Sequence, residues 1–214
     1  MRGEELVRAA VLTCDVVRSR EFRGMTRRIA SALQKLNERY RRALVAPIVI
    51  TLGDEFQCVL KEINRSYDLY LEAEYVLKLP IYAGLGIGTA ETGNNNYAPH
   101  MTGVAFVRSR NALSLAKLRG RRFVAQTGNN NLNVAINTLS IAVQYIRSLH
   151  TQRQASVVDH MLLNPRLSQT ELSKKLGVSK SAVSQVLRAA GFEALNEVSL
   201  AMRQLLGLNR LEAS

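Results

Sequence analysis

The sequence has few cysteines and no long apolar run. Only Cys14 and Cys58 occur in 214 residues, each inside a strand-like segment, which favours small buried thiols over a disulfide framework or a zinc site. Apolar stretches such as 81–87 are interrupted by glycine and fall far short of the roughly 18 residues that a membrane span needs. The N-terminal segment MRGEE carries acids where a signal peptide has a basic start. We therefore expect a cytoplasmic protein that does not enter the membrane.

Acidic residues are scarce relative to basic ones. The chain has 29 Lys and Arg against 17 Asp and Glu, a formal net charge of +12. Such a surplus attracts polyanions, and nucleic acid is the first partner class that it suggests. A solvated basic face without a partner is also common, so charge alone does not decide the function. The composition, 47% hydrophobic and 21% charged, is that of a globular protein with one large domain or two small ones.

The first half of the chain predicts an α+β domain. The predicted strands are 6–14, 48–52, 56–60, 81–87 and 123–126, and the predicted helices are 25–44, 62–78 and 103–118. The first six of these elements follow the order β-α-β-β-α-β, which is the ferredoxin-like, or split βαβ, arrangement. In that arrangement two helices cover one face of an antiparallel sheet. Residues 89–102 are expected to form a polar loop.

A run of glycine and asparagine at 128–131 favours a turn and marks the expected domain boundary. The predicted units are a ferredoxin-like domain over 1–128, a connecting segment over 129–149 and an all-α domain over 150–214. An apolar stripe with heptad-like steps runs through the connecting segment. Its residues are Ala135, Leu139, Ala142, Ile146 and Leu149. The stripe suits a connecting helix and a dimer seam equally well.

Residues 168–190 have the pattern of a helix-turn-helix. Ser168 and Glu171 form a capping box that begins one helix, and Ser179 can cap the next. Gly177 between them permits the positive φ of a tight turn. With the small Ser173, this spacing resembles the helix-turn-helix of bacterial transcription regulators. A plain helical hairpin is the alternative, but it does not require the turn glycine, the second cap and a polar outward face together.

The outward residues of this motif are short, amide or basic side chains suited to base edges and phosphates in a major groove. The expected contacts with double-stranded DNA are Thr170, Lys174, Lys175, Ser179, Lys180, Ser181, Ser184, Gln185 and Arg188. The helix over 150–163 is expected to support the motif, and 192–206 forms a last helix. One such unit reads few base pairs, so we expect a homodimer or higher oligomer, joined through the last helix or the apolar stripe.

Two aspartates mark a second candidate site. Asp15 ends the first predicted strand, and Asp54 lies in the turn between the second and third, which a split βαβ sheet places side by side. Two such carboxylates suit Mg²⁺ or Mn²⁺, which would hold nucleotide phosphates. An equal alternative is a turn-forming Asp54 with Asp15 paired to a neighbouring Arg. The phosphate-binding candidates nearby are Arg18, Arg20 and Arg23.

Three segments carry a family resemblance: LTCDVVRSR at 12–20, ITLGDEFQ at 50–57 and GLGIG at 84–88. Together they resemble the SatD-like family over about residues 8–120. That family is similar in turn to the palm domain of class III nucleotidyl cyclases and GGDEF proteins, where two aspartates hold two metal ions for phosphoryl transfer. The resemblance implies those roles for Asp15 and Asp54, with Glu55 adjacent.

The sequence departs from the cyclase pattern at the positions that recognise and activate the nucleotide. Class III cyclases have a lysine where Ile50 stands, and their later Asn and Arg are only loosely echoed by Arg108, Arg110 and Asn111. The resemblance therefore implies metal or nucleotide binding without turnover.

Three functions follow from the sequence. The first is a non-enzymatic, DNA-binding transcription regulator whose cyclase-like domain senses a nucleotide or metal, or mediates assembly. The second is a metal-dependent nucleotidyl cyclase or transferase that its helix-turn-helix targets or regulates. The third is an oligomeric architectural protein that coats DNA, with steep salt dependence and little sequence preference. Ile50 weighs against the second.

Overall fold

The computed structural model describes residues 5–17, 24–93 and 96–208 of the chain. Its strands are β1 (Glu5–Val16), β2 (Leu44–Leu52), β3 (Glu55–Leu60), β4 (Ile81–Thr92) and β5 (Phe123–Gln126). Its helices are α1 (Met25–Tyr40), α2 (Ser66–Leu77), α3 (Val104–Arg119), α4 (Asn130–Ser148), α5 (Gln152–Leu163), α6 (Gln169–Leu176), α7 (Lys180–Ala189) and α8 (Phe192–Leu208). Short 3₁₀ turns occur at Ile63–Arg65 and Ala98–His100.

In the described part of the chain, the five strands form one sheet in the order β2-β3-β1-β4-β5. All neighbours are antiparallel except β4 and β5, which are parallel. The α+β class and the β-α-β-β-α-β order of the first elements are thus confirmed. The polar loop expected over 89–102 begins later, because β4 continues to Thr92, which pairs with Glu5 at the start of β1.

Helices cover both faces of the sheet. Leu12 and Cys14 point into a core with α1 and α2, whereas Val11, the residue before Leu12 on β1, points to the opposite face under α3. Cys58 also lies in the first core, and both cysteines are buried free thiols, as the sequence predicts. The sheet therefore has no open face over β1 and β4.

Helix α4 closes the free edge of β5. Side chains of Asn133, Asn137, Ser140 and Gln144, at helical steps of four, three and four, bond to backbone groups at or beside that strand. Asn137 alone both donates to and accepts from Ala125. The helix thus replaces a sixth strand, and its side chains satisfy backbone groups that an uncovered edge exposes.

The inward face of α4 overlaps the predicted apolar stripe only in part. The inward residues are Leu132, Ile136, Leu139, Val143 and Ile146, whereas Ala142 and Leu149 are exposed. The stripe from Ala135 to Leu149 therefore coincides with the inward face only at Leu139 and Ile146, because the polar residues that bind β5 fix the rotation of the helix.

The last four helices form a second core that remains in contact with the first. Val158, Leu172, Val183 and Leu187 pack together with Val143 of α4. In contrast, Met202 and Leu206, near the end of α8, belong to the core between the sheet and α1 and α2. Apolar contacts thus cross the boundary expected at 128–129, and the division into 1–128, 129–149 and 150–214 stays a prediction.

No helix among the described residues is long and apolar enough to cross a membrane.

Candidate functional sites

The end of β1 lies beside the start of β3, and α3 supplies counter-ions for the carboxylates there. Asp15 on β1 lies directly opposite Glu55, the first residue of β3. Lys117 Nζ lies 2.5 Å from Asp15 Oδ2, and Arg110 Nη1 lies 2.6 Å from Glu55 Oε2. The hydroxyl of Thr51 also donates to Glu55 Oε1 at 2.8 Å. Because Arg110 and Lys117 are two helical turns apart, one side of α3 neutralises both carboxylates.

These ion pairs leave the carboxylates of Asp15 and Glu55 poorly suited to bind a metal ion. A divalent cation here would have to displace both Lys117 and Arg110 from the carboxylates that they bind. Within 5–17, 24–93 and 96–208, no group of three or more His, Cys, Asp and Glu could hold a metal ion. Asp54 is half-buried in the predicted turn after Gly53, whose φ is +62°. The assignment of Asp15 and Asp54 as metal ligands stays a prediction, and we derive no metal-dependent step from this arrangement.

A buried polar network lies beside the carboxylates. Gln57 donates to Thr13, Thr13 and Ser109 share a hydrogen bond of 2.7 Å, and Ser109 reaches the carbonyl of Gly84. The network fixes α3 on the sheet beside Asp15 and Glu55. Arg108 donates to the backbone carbonyls of Ile87 and Thr127, which is a structural role. Asn111 is exposed.

The predicted phosphate-binding arginines lie outside the described residues. Arg18, Arg20 and Arg23 all fall between β1 and α1, in the segment 18–23. Further along the chain, in the first turn of α1, Arg28 donates to the carbonyl of Leu77 at the end of α2. The role assigned to the three arginines therefore stays a prediction.

The local features expected between 168 and 190 are present. Ser168 Oγ accepts from the amide of Glu171 at 3.1 Å, and Glu171 Oε2 accepts from the amide of Ser168 at 2.8 Å. The hydrogen bonds that the amide and the hydroxyl of Ser168 donate to this carboxylate lower the pKa of Glu171. Gly177 ends α6 with φ +66°, and Ser179 accepts from the amide of Ala182 to begin α7. Two capped helices therefore flank a tight glycine turn, as the sequence predicts.

Most of the residues expected to contact DNA are exposed. Eight of the nine are exposed: Thr170, Lys174, Lys175, Ser179, Lys180, Ser181, Gln185 and Arg188. Ser184 is half-buried. On the opposite side of α7, Val183 and Leu187 are buried against α5 and α6. The polar and apolar faces of α7 are thus separated, while DNA binding itself stays a prediction.

Ion pairs join α2 to the later helices, and they were not predicted from the sequence. Arg147 on α4 lies 2.7 Å from Asp159 of α5 and 3.8 Å from Glu74 of α2. Arg203 on α8 binds both carboxylate oxygens of Asp68 at 3.0 Å. Local sequence patterns cannot identify ion-pair partners that lie so far apart in the sequence. The only available signal was a charged residue beside an apolar stripe.

The comparisons place the chain among proteins related over almost its whole length. A family model described as "SatD family" matches residues 10–205, well beyond the stretch of about 8–120 that carried the resemblance. No curated protein matches the sequence.

Among solved structures, a bacterial light-regulated adenylyl cyclase is 12% identical, with a TM-score of 0.43, covering 56% of this chain and 76% of its own. The guanylyl cyclase Cya2 is 13% identical, with a TM-score of 0.36 and coverage of 54% and 72%. The catalytic core of a rhodopsin-guanylyl cyclase is 19% identical, with a TM-score of 0.37 and coverage of 52% and 75%. These likenesses are too distant to carry an activity over. On the family match, which includes the helices after 149 as well as the sheet, the chain belongs to the SatD family.

Proposed function

We propose that this protein is a transcription regulator that binds double-stranded DNA with α7 in the major groove. The observation that carries the proposal is the exposed polar face of α7, backed by a buried apolar face and preceded by a capped turn. Lys180, Gln185 and Arg188 lie on the exposed side. Amide and guanidinium groups of this kind form paired hydrogen bonds with adenine and guanine edges.

The charge around α7 also favours a nucleic acid. The sequence of α7 contains Lys180 and Arg188 but no acidic residue, so no carboxylate opposes the positive end of its helix dipole. Backbone N–H groups at such a helix start bind phosphate oxygens. Lys174 and Lys175, in the last turn of α6, add two exposed cations beside that end. We expect these groups to bind the DNA backbone and α7 to read the bases.

We further propose that two copies act together, because one motif of this size covers few base pairs. The apolar residues of α8 are largely buried within the chain, which favours α4 as the contact. Val134, Ile141, Tyr145 and Leu149 are exposed on one side of α4. The sheet with α1–α3 would then serve assembly or the sensing of a small ligand.

The test begins with selection of bound duplexes from a random DNA library by the full-length protein. The dissociation constant for the selected duplex is then measured by fluorescence anisotropy. Replacing Gln185 and Arg188 by Ala together should raise it at least about tenfold, since each base contact is worth about 1–3 kcal/mol. The matched control is Arg119→Ala with Gln204→Ala, which removes the same groups from exposed sites on α3 and α8.

The control pair should stay within about twofold of the unmodified protein at equal salt. Equal weakening in both double variants would show that only net charge matters, which is the behaviour of a DNA-coating protein. Unchanged affinity in the α7 variant would refute base reading by α7.

A further inference from the structure

A cavity lies where the sheet layer meets the later helices. Its volume is about 570 Å³, which falls in the range of small-molecule binding sites. One wall is α2, a second is α4, and the third is α5, the helix that supports α6 and α7. The turn after α2 and the residue before β5 complete the lining. Three helices therefore face one cleft that is open to solvent.

The charges around the cavity are unevenly satisfied. Its two carboxylates, Glu74 and Asp159, both pair with Arg147, so one guanidinium serves two acids. The other two cations in the lining are Lys78 and Arg122. Nη1 of Arg122 is buried and has no hydrogen-bond partner in the described part of the chain. A buried N–H without an acceptor is unfavourable, and a bound anion would supply that acceptor.

Aromatic rings form the rest of the chemical character. Tyr67, Tyr70 and Tyr75 line the α2 wall, and Tyr75 is held by a hydrogen bond of 3.2 Å between its hydroxyl and His160 Nε2. Tyr67 and Tyr70 are buried against Phe123, so the half-exposed ring of Tyr75 is the one that offers an apolar surface to a planar ligand. Amide and hydroxyl groups of Gln144, Ser148 and Gln152 add polar contacts on the other walls.

We infer that this cavity binds a small organic anion that joins an aromatic ring to a phosphate or carboxylate, with Arg122 binding the anionic group. The lining holds three cations, Lys78, Arg122 and Arg147, against the two carboxylates that Arg147 binds, so its formal charge is positive. The site is separate from Asp15 and Glu55, which α3 covers. The inference does not depend on DNA binding, since it concerns the protein alone.

The experiment is isothermal titration of the full-length protein, without DNA, with four probes: AMP, GMP, 4-hydroxybenzoate and inorganic phosphate. We expect saturable one-to-one binding of a nucleotide or of 4-hydroxybenzoate, and weaker binding of inorganic phosphate, which lacks the ring. The nucleotides and the benzoate distinguish a phosphate ligand from a carboxylate ligand.

Two variants locate the site. Arg122→Gln should weaken binding at least about tenfold, whereas Arg121→Gln, which removes the same charge from a residue outside the lining, should change it less than about twofold. Ala155→Phe, on a half-exposed position of α5, should block the cavity without removing a charge. Circular dichroism of each variant checks that it is folded.

Absence of saturable binding by every probe up to about 5 mM would overturn the proposal. So would equal weakening by Arg121→Gln and Arg122→Gln, or full binding in a folded Ala155→Phe protein. Because DNA takes no part, each of these three results would leave the proposal for α7 standing.

Discussion

Gly86 sets the distance between β4 and α3. A Cβ atom built on this residue would lie 2.1 Å from the carbonyl oxygen of Ala105 and 2.2 Å from the amide of Ser109. Both are backbone atoms of α3, so no side chain could rotate away to make room. Gly84 has the same relation to Leu113. The GLGIG segment that carried the family resemblance therefore has a packing role, since its glycines let a helix lie directly on the sheet.

Gly86→Ala is expected to lower the free energy of unfolding by about 3 kcal/mol or more, because α3 must move off the sheet. Gly93→Ala is the matched control. Nothing lies within 4 Å of its built Cβ, and its φ is not positive, so we expect a change below about 1 kcal/mol. Urea unfolding followed by far-UV circular dichroism measures both variants. Similar stability of the two proteins would contradict the close packing of α3.

Helix α2 is the element that connects the two cores by charge. Its acids Asp68, Glu72 and Glu74 pair with arginines on α8, α1 and α4 respectively. Burial raises the pKa of each of these carboxyls, and the arginines offset that rise only in part. The ionised acids therefore remain less stable in the folded chain than in water, despite their partners.

The raised pKa of Glu74 predicts the direction in which the stability of the protein changes with pH. In the folded chain Glu74 keeps its proton to a higher pH than in the unfolded chain, where its ordinary pKa is 4.5. Its contribution to stability is thus fully present below that pH and is lost as pH rises through the folded pKa. Glu74→Gln removes this loss, so the stability of the variant relative to the unmodified protein should increase from pH 4.5 upward.

Urea unfolding of both proteins between about pH 4 and pH 8 measures this difference. Glu38→Gln, at an exposed position on α1, controls for the removal of one negative charge. A relative stability of the Glu74 variant that falls with rising pH would mean that Arg147 more than offsets the burial of the acid.

At the level of elements, the sequence predicted what local chemistry determines. The capping box at Ser168, the glycine turn at 177 and the alternation of strands and helices were all readable from neighbouring residues. The rotation of α4 was missed, although a signal existed: Asn137, Ser140 and Gln144 repeat with helical spacing and are the residues that bind β5. The apolar periodicity alone does not reveal this polar face of α4.

At the scale of the whole molecule, the sequence did not predict which elements lie together. The pairing of Asp15 with Lys117 spans 102 positions, and that of Asp68 with Arg203 spans 135. The placement of Asp15 beside the hairpin followed correctly from the βαββαβ order, since topology determines it. The helix that covers that site and the cavity between α2, α4 and α5 depend on long-range packing, which no local pattern encodes.

From the packing of α8 we expect the chain to unfold as one unit rather than as separate domains. All seven tyrosines lie between 40 and 145 and there is no tryptophan, so near-UV circular dichroism reports on the sheet layer and α4. Far-UV circular dichroism reports on every helix. Because Met202 is fully buried in the sheet-side core, we expect both signals to change at the same urea concentration.

Met202→Ala should lower the free energy of unfolding by about 2–5 kcal/mol, because it leaves a cavity where α8 meets that core. Both signals should shift to lower urea concentration together. Leu200→Ala, at a position 41% exposed on the same helix, should cost much less. Two separate transitions, or a shift of the far-UV signal alone, would mean that the helices after 149 fold independently of the sheet. Coincident shifts would instead mean that α8 links the stability of the helices after 149 to that of the sheet layer.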